Sequence, residues 1–254
     1  MTPESRDMPS LPQRVLPSLF TTANLLAGFI ALVAAVEGRY ALAAGAIFAG
    51  MAFDILDGQM ARMVGLASTF GVEYDSLADV ITFGVAPSLL AYISLLRPFG
   101  RYGWLGGFLF VVAAALRLAR FNAQTLRAEA EDEPPLPYFE GLPTPAAAGT
   151  VAGLVLFAVT RPHPPQVMAW IVLFAMYILA ALKVSRVPYG HMKHVDLRSY
   201  GLMRLIAAFA ALLAFIIAVP TIALPVLFVG YTLSGPIRLG FQKLRQLTRR
   251  SLER

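Results

Sequence analysis

Four aspartates fall within one short stretch, DILDGQMARMVGLASTFGVEYDSLAD, which runs from Asp54 to Asp79. Asp54 and Asp57 are three positions apart and Asp75 and Asp79 four, so on helices each pair shares one face. Two such helices side by side aim four carboxylates at one point. Unpaired carboxylates are costly away from water and repel one another when gathered; divalent cations relieve both. Carboxylate oxygens are hard ligands for Mg²⁺, Mn²⁺ or Ca²⁺, and the chain has no cysteine to offer a softer one. Mg²⁺ takes a few carboxylates and completes its shell with water and substrate phosphate, so four carboxylates can hold two ions. Such a site suits phosphoryl-type transfer, in which positioning and charge stabilisation carry the catalysis and a nearby carboxylate takes the acceptor's proton. Any one of these aspartates alone also reads as a solvated charge at a helix end; the array of four does not.

Small residues punctuate the same stretch. Gly58 and Ala61 lie near the aspartate face and Gly71 opens the next helix, leaving room for a ligand or a neighbouring backbone. Arg62 adds a fixed positive charge that can reach a phosphate or hold a carboxylate. Pro143 and Pro145 read as loop-to-helix punctuation, and His191 and His194, in a polar loop with Lys193 and Asp196, as solvated groups.

The elements that must position these residues are membrane spans. Of 254 residues, 57% are hydrophobic and 14% charged, which excludes an ordinary soluble domain. An all-α, polytopic membrane fold is expected. Stretches long enough to cross about 30 Å of hydrocarbon number about eight: residues 19–36, 40–64, 69–96, 102–122, 143–160, 166–184, 202–219 and 221–237. The last two are separated by a turn at Pro220, and Pro225 leaves a re-entrant hairpin open there. All but four of the 21 Lys and Arg residues (Arg39, Arg97, Arg101 and Arg161) flank one side, which places both termini and the aspartates in the cytoplasm. The net charge of +6 follows from this topology rather than from nucleic-acid binding, since no aromatic-basic surface module is visible. Residues 125–142, acidic and then proline-rich, are expected to form a solvated, non-helical loop. The predicted divisions are an N-terminal cytoplasmic segment, 1–18, and a transmembrane core, 19–189. Two further helices, 190–237, and a basic tail, 238–254, suited to anionic headgroups, complete the chain.

Asp54, Asp57, Gly58, Ala61, Arg62, Gly71, Asp75 and Asp79 match without a gap the signature that the CDP-alcohol phosphotransferase family carries, and the chain resembles that family. The resemblance implies transfer from a CDP-linked donor to an acceptor hydroxyl with release of CMP. Asp54, Asp57 and Asp75 would be ligands of two Mg²⁺ or Mn²⁺ ions, and Asp79 a ligand or the general base facing the acceptor. Gly58 and Ala61 would line the nucleotide side, and a homodimer in the inner membrane is expected. Four further segments are similar to the phosphatidylserine synthase branch: LPSLFTTANLLAGF, RLARFN from Arg117 to Asn122, FEGLPTPAAAG and VSRVPY. With the signature they cover most of 16–189, a core of six helices. That branch implies CDP-diacylglycerol and L-serine as substrates. Serine is zwitterionic, and Arg117, Arg120 and Asn122 supply a carboxylate fork and an amide. Both arginines also read as a positive-inside flank. Asn24 and Arg186 would contact the donor's nucleotide or phosphate; Asn24 reads equally as an interhelical hydrogen-bonding residue. Glycerol phosphate or inositol phosphate as acceptor would ask for a denser arginine pocket. An ion or proton transporter would hold its carboxylates near the midplane between broken helices, not at one membrane face.

Overall fold

A computed structural model describes residues 11–64, 69–131, 138–161, 166–190, 210–211 and 214–252. Helix α1 (Leu11–Val36) turns at Gly38, whose φ of 76° a side chain would resist, into α2 (Tyr40–Val64). Ala27, Ala31, Ala34 and Ala35 of α1 are buried with Ala43, Ala44 and Ile47 of α2. Without bulk at that seam the two backbones approach closely, as membrane helices do where no hydrophobic effect drives them together. Leu26, Phe29, Ile30 and Val33 point outward, the pattern of a lipid-facing stripe.

The third span is continuous but not uniform. Helix α3 (Thr69–Asp79) passes into a π-helical stretch (Val80–Val85), then α4 (Ala86–Ala91), a second π-helical stretch (Tyr92–Leu96) and a 3₁₀ turn (Arg97–Phe99). Pro87 accounts for the first irregularity, since it lacks an N–H and its ring crowds the carbonyl a turn earlier. Ser88 Oγ donates to Gly84 O at 2.8 Å and to Gly107 O at 3.1 Å, capping a carbonyl of the π-helical stretch and tying it to the next helix.

Helix α5 (Arg101–Glu131) runs nine residues past the predicted end of its span at Asn122. The expected loop therefore starts later, because Ala123, Gln124, Leu126 and Arg127 favour helix and Arg127 pairs with Glu131 at 2.9 Å one turn on. Strand β1 (Tyr138–Glu140) pairs antiparallel with β2 (Pro188–Gly190), a ribbon the sequence does not announce. Pro134, Pro135 and Pro137 lie outside the described residues, as do His191, Lys193, His194 and Asp196.

Helix α6 (Thr144–Val159) is apolar but only 16 residues long, about 24 Å at 1.5 Å per residue, and is buried for most of its length. Helix α7 (Gln166–Val184) completes the bundle. Helix α8 (Pro220–Leu252) begins at Pro220, carries Pro225 and Pro236 within it, and extends as helix through most of the stretch expected to be a tail. It seats on α6, where a side chain on Gly149 would meet Phe228 and one on Gly153 would meet Pro225. Among the described residues six helices are long and apolar enough to cross a membrane, so the chain is an all-α, multi-pass membrane protein apart from the ribbon. Most of 202–219 lies outside the described residues.

Candidate active site

Asp54 and Asp57 lie in the C-terminal half of α2, Asp75 and Asp79 on α3, and α1 holds both pairs from behind. Thr21 and Asn24, one helical turn apart on α1, each reach a different helix. Thr21 Oγ1 donates a short hydrogen bond to Asp57 Oδ2, and Asn24 Nδ2 donates to Asp79 Oδ1 at 3.0 Å. One turn further, Gly28 leaves room for Thr82, whose Oγ1 donates to Asn24 O at 3.0 Å. Gly50 of α2 does the same from the other side, since a Cβ there would lie 2.6 Å from Thr82 Cγ2 and 3.0 Å from Asn24 Oδ1.

The result is a carboxylate cluster. One oxygen each from Asp54, Asp75 and Asp79 lies within 4.8 Å of the others. Asp57 and Asp79 are buried, with 7% and 6% of their surface exposed, and Asp57 Oδ1 and Asp75 Oδ1 are buried without a hydrogen-bond partner. Among the described residues no salt bridge reaches any of the four. Buried carboxylates that repel one another and have orphaned oxygens fit hard divalent cations, which supply the missing charge and take up the free lone pairs. Gly58 follows Asp57 and is half-buried, as is Gly71. The side chains of Ala61 and Arg62 lie outside what is described.

A basic group faces this cluster from α5. Arg117 is buried, close enough to Asp79 and Arg120 for their charges to interact, and donates a long hydrogen bond of 3.5 Å to Thr144 Oγ1. Arg120 Nη1 donates to Val184 O at 3.3 Å. Arg117 Nε and Arg120 Nη2 are buried without partners. Asn122 Nδ2 donates to Ser76 Oγ at 2.9 Å, linking α5 to α3 beside Asp75. Arg186, between α7 and β2, is exposed. Asn24 is wholly buried behind Asp79.

Sequence reading passed over several residues that shape this region. Thr21 is one, and its signal was a place three positions from Asn24, on the same helix face. Lys183 carried none, because at the end of a span it looks like a topology flank; it is wholly buried, with Nζ donating to Phe110 O at 3.3 Å.

Spans that gather carboxylates at one end and face them with buried guanidinium groups define a multi-pass membrane protein equipped to handle phosphate groups. The chain belongs to the CDP-alcohol phosphatidyltransferase family, whose match covers residues 14–234. It is 35% identical over 232 residues to the CDP-diacylglycerol–serine O-phosphatidyltransferase of Helicobacter pylori, 91% of this chain and 93% of that one. The enzyme of the same name in Bacillus subtilis is 32% identical over 178 residues, 70% of this chain and 91% of that one. An archaetidylserine synthase of Methanothermobacter thermautotrophicus is 34% identical over 176 residues, 68% and 69% of the two chains.

Proposed function

We propose that the protein transfers the phosphatidyl group of CDP-diacylglycerol to the hydroxyl of L-serine, giving phosphatidylserine and CMP. The convergence of the Asp54, Asp75 and Asp79 oxygens carries the reaction type. The acceptor rests on the relatives, whose names include serine transferases acting on two different lipids. Asp54, Asp57, Asp75 and Asp79 would hold two Mg²⁺ or Mn²⁺ ions, and bound cations would neutralise the diphosphate and the charge gathering on departing CMP.

The donor's tails lie in the bilayer and its diphosphate at the helix ends, with Gly58, Ala61, Arg62, Gly71 and Arg186 on the nucleotide side. Arg117 and Arg120, with buried N–H groups still unpaired, orient the serine carboxylate. The serine oxygen attacks the lipid-side phosphorus, the phosphoanhydride bond opens, and CMP leaves with the bonding pair. The hydroxyl proton passes to Asp79 or Asp75. Asn24 acts through Asp79, holding its carboxylate in one orientation.

The 19–189 core carries this chemistry. The active site and both termini face the cytoplasm from the inner membrane, and two copies associate as a homodimer. The test is CMP release by purified protein with Mg²⁺ or Mn²⁺ and CDP-diacylglycerol. Release that serine does not increase sinks the proposal.

A further inference from the structure

The residues after Tyr189 carry no chemistry that the sequence declares, yet α8 reaches the site. Tyr189 of the ribbon is buried against Gly235 of α8, where any side chain would collide with its ring. Its hydroxyl donates to Thr232 O at 3.1 Å, and Thr232 hydrogen-bonds to Thr150 of α6 at 2.9 Å. Two elements, β2 and α6, therefore fix this turn of α8. Tyr231 projects from the same turn, its ring centroid 5.9 Å from that of Tyr189. The Tyr231 hydroxyl lies within electrostatic reach of Arg117 and Arg238. No hydrogen bond joins Tyr231 to Arg117 among the described residues, and Nε of this buried arginine has no partner; Arg120, close enough for its charge to act on Arg117, likewise keeps a buried Nη2 unpaired.

Buried guanidinium N–H groups without acceptors call for an anion, and a phenol within reach of Arg117 adds an O–H donor. We propose that Tyr231 makes α8 a wall of the acceptor pocket, its hydroxyl binding the acceptor's anionic group together with Arg117 and Arg120. This rests on the phosphatidyltransferase reading above, and the chemistry is common to a serine carboxylate and to the phosphate of a phosphorylated acceptor.

Tyr231→Phe in the full-length chain tests it, with CMP release measured against serine and against CDP-diacylglycerol. Loss of one hydrogen bond to a charged group predicts a serine KM raised about tenfold. The kcat and the KM for CDP-diacylglycerol should hold within about twofold, a split that general loosening of the helix would not produce. Thr232→Val, which removes the bond to Thr150 and keeps the phenol, should lower Tm and leave the serine KM in place. The rise in Tm on adding serine, read without turnover, should be smaller in Tyr231→Phe than in wild type. An unchanged serine KM, or KM values for both substrates rising together, overturns the assignment of Tyr231. If glycerol phosphate or inositol phosphate drives CMP release in place of serine, the serine reading falls. The same KM ratio on that acceptor then judges Tyr231.

Discussion

Asp79 is where three helices meet: it sits on α3, accepts a hydrogen bond from Asn24 of α1, and shares a cluster with Asp54 of α2. Charge, rather than shape, is what the cluster has in excess. Replacing Asp54, Asp75 or Asp79 by Asn keeps volume and removes one repelling charge, so each variant should melt higher than wild type in EDTA. In Mg²⁺ or Mn²⁺ the order should invert, because only the intact cluster gains from the cation. CMP release should fall about 10²-fold or more for Asp79→Asn, as expected for a lost proton acceptor. A thermal-shift series with and without EDTA reads the first effect independently of the second, and an Asn variant that melts below wild type in EDTA would contradict the charge argument. Asn24→Ala should lower kcat about tenfold while leaving both KM values near wild type, since it acts through the orientation of Asp79. The aspartates were legible because their spacing is helical and their chemistry is scarce in a membrane. The partner of Asn122 was not legible in the same way: an amide beside two arginines looks like part of their fork, and the packing of α5 on α3 brings Ser76 to its Nδ2.

At the scale of elements, hydropathy located the spans but not how they deviate from regular helix. The third span reads as one apolar stretch, and Pro87 alone marks where the backbone departs from α geometry. Ser88 is the side chain that makes this affordable, by bonding Gly84 O and Gly107 O together. Ser88→Ala removes the one hydroxyl proton that Gly84 O and Gly107 O share and should cost about 1 kcal/mol, seen as a lower Tm in detergent, while Ser88→Thr recovers part of the loss. A Tm unchanged in Ser88→Ala would mean that other donors satisfy both carbonyls. The ribbon and the extension of α5 escaped the sequence for opposite reasons. Three-residue strands leave no periodicity to detect, and the acidic, proline-rich stretch masked the good helix formers that precede it.

At the scale of the whole molecule, the asymmetry of Lys and Arg makes a claim that the fold can test. The loop between α1 and α2, with Glu37 exposed, and the end of α5, with Glu131 exposed, are separated by three crossings: α2, the span from α3 through the 3₁₀ turn, and α5. They must lie on opposite sides of the bilayer whatever the placement of residues 191–209. The charge pattern predicts the direction: Glu37 would lie outside and Glu131 inside. Because the chain has no cysteine, one introduced thiol is the sole target for a maleimide. In intact spheroplasts a membrane-impermeant maleimide should label Glu37→Cys and spare Glu131→Cys, and permeabilisation should expose both. Labelling of Glu131→Cys alone would reverse the orientation and put the aspartates on the side away from cytoplasmic CDP-linked donors. Labelling of both before permeabilisation would contradict the three crossings themselves. The expected pattern places the carboxylate cluster, the unpaired arginines and Tyr231 at the membrane face where a polar headgroup donor and a water-soluble acceptor both arrive from the cytoplasm.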